Sequence, residues 1–327
     1  MILSQRWPTQ PQSGKNNRWS VLYIKDHFMA LTIEEAVARV PQWVEKSDLK
    51  TSPLGGGITN FNYRVDVGGE SFVLRITGAR TELLGINREN EYAANLQAGE
   101  LGIAPEVVYF IRPEGYLVTR FLNSRPLPPQ EITTRTNIKQ LTSVLKKIHA
   151  MPPVPGKFDV FKVVEQYTRT VREYKVEFPP DFDWINVRAQ EAENALATHA
   201  YTPQPCHNDL LNANFLFDGN IRVLDWEYAG MGDVFFDLAN FSVHHQLADD
   251  QDRWLLECYC SEVTPQAWGR LKILKTMSDF REAMWALIQV AVSTLDFDFR
   301  EYANKHFERM RSTMKSSEWD RWIEEAK

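Results

Sequence analysis

The chain has 327 residues, too many for a single small hydrophobic core, and the length predicts two domains or lobes. Hydrophobic residues make up 43% and charged residues 24%, a balance that argues against wholesale disorder. With 37 basic against 43 acidic residues the formal charge is −6, and no long basic run is present, so a nucleic-acid backbone and an anionic bilayer are disfavoured as partners. The longest mostly apolar stretch, Ala283 to Val292, has about half of the roughly 20 residues a spanning helix needs and reads as a core helix. Cys206, Cys258 and Cys260 have neither zinc-site nor disulfide-framework spacing, which points to a reducing, cytoplasmic compartment.

Residues 1–30 mix polar groups and prolines without an apolar signal segment and are expected to be a disordered N-terminal extension, with Met29 a candidate start. Thr32 and Glu35 then form a capping box that opens a first helix. Two β-branched and aromatic runs around Val67-Gly68-Gly69-Glu70 predict a hairpin. Asn87 to Gly99 has helical composition, and the runs flanking Arg112-Pro113-Glu114 read as a second strand pair. Residues 31–122 therefore suggest a small antiparallel sheet carrying one helix, and 123–327 a larger, mainly helical lobe. In that second part Ile138, Leu141, Val144, Leu145 and Ile148 recur at helical spacing. A short hairpin, FLF and IRVLDW joined at Asp218-Gly219-Asn220, interrupts the helices, and Thr264-Pro265 opens a long apolar helical region toward Thr294.

The chemistry concentrates at that interruption. His207-Asn208-Asp209 is followed five residues later by Asn214, and Asp225 ends the next strand. Each residue alone reads as a turn cap or a core histidine. Together they gather two carboxylates and an amide at one hairpin, a set that suits phosphoryl transfer: Asp209 as the base that orients and deprotonates a hydroxyl, Asn214 and Asp225 as oxygen ligands for magnesium.

The segments CHNDLLNANFLF and LDWEYAG resemble the catalytic and metal-binding segments of choline and ethanolamine kinases, in the aminoglycoside-phosphotransferase-like branch of the protein-kinase fold. The resemblance extends to FFDLAN, where Asp237 matches the structural aspartate behind the catalytic loop, and to the C-terminal FREAMWALIQVAVSTLDFDFREYANKHF. It implies an α+β, two-lobed, protein-kinase-like fold: a nucleotide-binding lobe at 31–122 and a catalytic and substrate-binding lobe at 123–327. ATP and Mg2+ are the implied cofactors. The nucleotide loop falls at Gly55-Gly56-Gly57-Ile58-Thr59-Asn60, with Gly56 and Gly57 letting backbone amides approach phosphate and Thr59 and Asn60 adding short polar contacts. Arg75 stands where typical kinases have a phosphate-binding lysine. Its expected partner is Glu89, with Glu91 as the alternative, and Thr119 to Leu122 would face the adenine edge.

The resemblance also implies a cationic amino-alcohol acceptor held by aromatic faces and carboxylates. Tyr228, Glu227, Trp285 and Tyr302 are the candidates, with Asp209 at the hydroxyl. Two positions depart from the choline-kinase pattern: Glu282 replaces a tryptophan, and Phe241-Ser242-Val243-His244-His245 lacks the usual acidic residue. Loss of a desolvated cation–π contact would cost a quaternary ligand about 2 kcal/mol, whereas Glu282 would accept hydrogen bonds from a primary ammonium. Choline and ethanolamine both stay as acceptors. The alternatives are a phosphotransferase for an aminoglycoside, sugar or other hydroxylated amine, and an idle nucleotide-binding regulator. A metal site at His244-His245 is disfavoured because adjacent helix residues diverge, and sequence leaves monomer and homodimer both open.

Overall fold

The computed structural model describes residues 31–55, 60–78, 80–199 and 201–327. Met29 and, in the glycine loop, Gly56, Gly57 and Thr59 lie outside the described residues. The chain divides into two compact units, one running through Thr81 together with Val107–Phe121 and Leu295–Phe297, the other comprising Glu82–Glu106, Leu122–Thr294 and Asp298–Lys327.

The first unit opens with helix α1 (Ile33–Ala38), whose Thr32–Glu35 capping box forms as expected. Its five-stranded antiparallel sheet comprises β1 (Lys50–Leu54), β2 (Asn60–Val67), β3 (Glu70–Thr77), β4 (Val107–Ile111) and β5 (Tyr116–Arg120), in the order β1-β2-β3-β5-β4. The β2–β3 hairpin closes on Gly68 and Gly69, both at positive φ (60° and 78°), which is why two glycines stand there. One face packs Val65, Phe72, Leu74, Ile76 and Val118 against Ala36, Val40 and Trp43.

The second unit holds α2 (Arg88–Glu100), the short strand β6 (Arg125–Pro126), α3 (Pro129–Ile132), α4 (Arg135–His149), α5 (Val160–Glu173) and α6 (Phe182–Ala197). Then come β7 (Gln204–Cys206), β8 (Phe215–Phe217), β9 (Ile221–Val223) and β10 (Gly230–Gly232), followed by α7 (Val234–His244), α8 (Asp249–Cys260), α9 (Pro265–Val292), α10 (Phe299–Met314) and α11 (Ser317–Glu325). The expected hairpin is β8–β9, turning at Gly219 with φ 103°; β6 extends it to three strands, and β7 pairs separately with β10. Helix α9 starts at the expected Thr264 cap and is buried nearly all round, packing against α5, α7, α10 and α11. A helix without a polar face is the centre of its unit.

One expectation differs. Helix α2 reads in sequence as part of the sheet lobe, but Ala94, Ala98, Ile103 and Ala104 belong to the core of the helical unit, and Val223 N donates to Ile103 O at 2.9 Å. Composition predicts the helix but not which core its small residues enter. Among the described residues, no helix is long and apolar enough to cross a membrane, and Cys206, Cys258 and Cys260 are free thiols.

Gly269 of α9 shows how closely the helices approach: a Cβ there would stand 2.7 Å from Trp322 O and 3.1 Å from Glu325 Cβ in α11. Backbone cannot retreat as a flexible side chain can, so Gly269→Ala should lower unfolding free energy by about 1–3 kcal/mol, measurable by denaturant titration. An unchanged midpoint would contradict this packing.

Candidate active site

The loop after β7 is built around a buried carboxylate on α7. Asp237 accepts the backbone N–H of His207 at 2.9 Å and of Asn208 at 2.7 Å. Asn208 has φ 66°, the left-handed region that an asparagine tolerates better than most residues, and its side chain donates to Tyr228 O at 3.0 Å. Burial alone would raise the Asp237 pKa, but the hydrogen bond and charge of His149 and the backbone N–H of His207 hold it below the ordinary carboxylate value. His149 Nε2 lies 3.1 Å from Asp237 Oδ2 and Nδ1 2.6 Å from the Tyr259 hydroxyl. Asn240 adds a further anchor, accepting Leu210 N–H at 2.6 Å.

His207 ties this loop to the hairpin. Its Nδ1 accepts Asp209 N–H at 3.2 Å and its Nε2 donates to Leu224 O at 2.9 Å, directly before Asp225. Burial lowers its pKa, so the ring is neutral and can do both. Asn214 Nδ2 donates to Asp209 O at 2.8 Å and lies 3.4 Å from Asp209 Oδ2, while Leu224 N donates to Asn214 O at 2.9 Å. Asp209, Asn214 and Leu224, the residue preceding Asp225, are thus held by one bonded network. Asp225 has φ 64°, a strained backbone of the kind that persists where the surroundings fix it. The amide of Asn214 is oriented by its NH2 end, which makes Oδ1 the atom it would offer to a cation. Asp225 would add a carboxylate to it, and such hard oxygen donors are the kind magnesium takes.

Asp209 is buried, and burial pushes its pKa up to about 7; Arg281 opposes that rise, while the charges of Glu282, Asp225 and Glu227 add to it. Arg281, which the sequence reading did not single out, lies beside Asp209. It is 1% exposed, its Nη1 lies 3.2 Å from Asp209 Oδ1 and also pairs with Glu282 Oε1, and its guanidinium carbon sits 4.2 Å from the Tyr228 ring centroid. In sequence it stands directly before Glu282 on a helix that also carries Arg270, Lys272, Lys275 and Asp279, so nothing local set it apart.

The expected acceptor residues fall in this unit. Glu282 is not on an exposed helix face: it is buried, accepts the Tyr302 hydroxyl at 3.0 Å and lies 3.7 Å from His244 Nε2. Burial alone would raise its pKa, but Arg281 foremost and the Tyr302 hydrogen bond hold it low. Burial likewise drops His244 to about 3, against the pull of Glu282. Asp209, His244 and Glu282 bring possible ligand atoms within 4.8 Å of one another, but Arg281 already bonds both carboxylates, which disfavours a second metal there. Trp285 is edge-on to Tyr302 at 6.2 Å. Glu227 accepts from Arg88 at 3.2 Å, and Arg88 also pairs with Glu91 at 2.7 Å.

Helix α2 buries Glu91 and leaves Glu89 exposed in its first turn. In the first unit, Arg75 and Asn60 are buried on neighbouring strands, with Arg75 opposite Asn62 and Leu117 in register. Thr119 pairs with Val73 on β5. Leu122 O, in the second unit, accepts the Ser124 hydroxyl at 3.3 Å.

Residues 50–274 match the phosphotransferase enzyme family. The chain is 29% identical over 244 residues to protein LicA of Haemophilus influenzae, covering 72% of each chain. It is 28% identical over 294 residues to human ethanolamine kinase 2, covering 80% of this chain and 75% of that one. Among solved structures it is similar to a choline/ethanolamine kinase family protein of Mesorhizobium loti, with 30% identity, a TM-score of 0.77, and coverage of 89% of this chain and 96% of the other. The chain belongs to the phosphotransferase enzyme family, it is a phosphotransferase related to choline and ethanolamine kinases, and its fold is the protein-kinase-like α+β fold.

The Asp237 network yields a direct check. Asp237→Ala removes the acceptor for two buried N–H groups, each costing about 1–3 kcal/mol when left unsatisfied. The variant should unfold at markedly lower denaturant and lose turnover, and a variant with wild-type stability would show that the loop is held by other contacts.

Proposed function

We propose that the enzyme transfers the γ-phosphoryl group of ATP, with magnesium, to the hydroxyl of a small amino alcohol. The reading rests on one observation above the others: Asp209, Asn214 and the residue preceding Asp225 are joined by hydrogen bonds through His207 and Leu224. Such an arrangement holds a base and two oxygen ligands at fixed separation, which is what a reaction catalysed by positioning requires.

Asp209 accepts the hydroxyl proton as the alcohol oxygen forms its bond to the γ-phosphorus and the bond to the β-phosphate oxygen breaks, releasing ADP. Asn214 and Asp225 would hold magnesium, whose charge would offset that of the phosphates. Arg75, with Asn60, is the candidate for phosphate contact in the sheet unit, and Thr119 and Leu122 for the base edge. Glu227, Tyr228, Glu282, Trp285 and Tyr302 are the acceptor-side candidates; the buried Glu282 carboxylate and the Trp285–Tyr302 pair support a cationic alcohol rather than a neutral sugar.

Asp209→Asn keeps the shape and removes the base. Turnover of ethanolamine and choline should fall about 10²–10⁴-fold while nucleotide binding by calorimetry survives, and unchanged turnover would remove the assignment.

The raised Asp209 pKa gives a pH dependence with a defined sign. Below about 7 the carboxyl is protonated and cannot accept a proton; above it the base is available. kcat/KM should therefore rise with pH through that region and then level off. A profile that falls there would contradict the role of Asp209.

A further inference from the structure

We infer that Arg281 decides which acceptors the enzyme takes: it occupies the ring face a quaternary ammonium would need and presents two N–H groups to an oxygen of the acceptor. The site then favours a hydroxylated primary amine over its N-methylated counterparts. This deepens the phosphotransferase reading above and rests on it.

Three observations converge. A cation held over an aromatic ring takes a face that a second cation cannot share, and the Arg281 guanidinium stands 4.2 Å from the centre of Tyr228. Tyr228 is the acceptor-side aromatic nearest the catalytic loop in sequence, and its backbone carbonyl is bound to Asn208 of that loop. Second, Arg281 is almost wholly buried, and its Nε and Nη2 have no hydrogen-bond partner among the described residues, whereas Nη1 serves Asp209 and Glu282. A buried guanidinium with unpaired donors is costly unless something accepts from them, and the alcohol oxygen that approaches Asp209 is such an acceptor. Third, the surrounding charges suit a primary ammonium. Once Asp209 is ionised, it and Glu282 together carry one more charge than Arg281 neutralises, Glu227 is engaged by Arg88, and His244 is neutral. A primary ammonium can donate hydrogen bonds into this excess. A trimethylammonium head has no hydrogens to donate and meets Arg281 as a like charge.

The test is a methylation series, ethanolamine, N-methylethanolamine, N,N-dimethylethanolamine and choline, assayed for kcat/KM with ATP. In the wild-type enzyme kcat/KM should fall along the series, by about tenfold or more from first to last. R281L/E282W replaces the Arg–Glu pair with an apolar and an aromatic side chain and should move the ethanolamine-to-choline ratio toward choline by about tenfold. R281K keeps the charge and loses the fork; it should leave choline poor and raise KM for ethanolamine, and it also guards against a double variant that fails to fold. Equal use of choline and ethanolamine by the wild type, an unmoved ratio in a folded R281L/E282W, or an unchanged ethanolamine KM in R281K each overturns the inference. Calorimetric binding of ethanolamine and choline without nucleotide separates the two readings. Preferential ethanolamine binding without turnover sinks the phosphotransfer reading of this acceptor class and leaves Arg281 as the selector, whereas choline binding as tightly as ethanolamine, or no binding by either, overturns the role of Arg281.

Discussion

A carboxylate with no access to water persists as an anion only if its surroundings supply hydrogen bonds, and Asp237 is supplied by the residues that matter most. Its two oxygens take consecutive backbone N–H groups, from His207 and Asn208, and this forces the chain through the left-handed conformation at Asn208. The turn that results delivers Asp209, and His207, fixed at its own backbone, reaches from Asp209 N–H to Leu224 O. The position of the proposed base and that of the second strand of the hairpin therefore follow from one buried anion. His149 and Tyr259 stand behind it, so the constraint extends from α7 into α4 and α8.

Around this anchor the protein concentrates buried charge of a kind that well-packed hydrophobic residues often replace without loss of stability. Buried ion pairs are weak stabilisers because desolvation offsets their attraction. Arg281, Glu282 and Asp209 nevertheless share one cluster inside the central helical unit, and the same helix carries Asp279, paired with Arg309 and His306. Arg270, also on α9, is a useful contrast: it donates from both Nε and Nη2 to Asp233 and is satisfied as a structural clamp. Arg281 has no such arrangement, and its incomplete bonding beside the base is better explained by a ligand than by folding.

What was legible in the sequence was local. The Thr32–Glu35 box, the Gly68-Gly69 turn and the Thr264-Pro265 start each state their conformation within a few residues, and Asp209, Asn214 and Asp225 lie close enough in sequence for one loop and hairpin to gather them. What was hidden depends on distant partners. Glu282 resembles an exposed helix residue until α9 proves to be buried on all sides, and Arg281 meets Asp209 across 72 positions of chain. The side on which α2 packs is set by Ala94 and Ala98 finding the helical core, and small residues carry little signal of that choice. Glu89 and Glu91 differ by two positions on a helix, enough to place them on different faces, but sequence alone did not show which face was interior.

Asp209 is subject to two opposing influences whose balance suits a base. Burial disfavours the charged form and makes the carboxylate a stronger proton acceptor; Arg281 favours the charged form and keeps it populated. With burial alone the group would stay protonated at neutral pH and accept nothing. With the guanidinium alone, in water, it would be fully ionised and a weak base. The same residue that limits which head group can occupy Tyr228 thus also limits how far the base is pushed toward neutrality. Selection of the acceptor and activation of its hydroxyl are for that reason physically linked: a change at position 281 that opens the ring face also removes the charge that keeps Asp209 ionised.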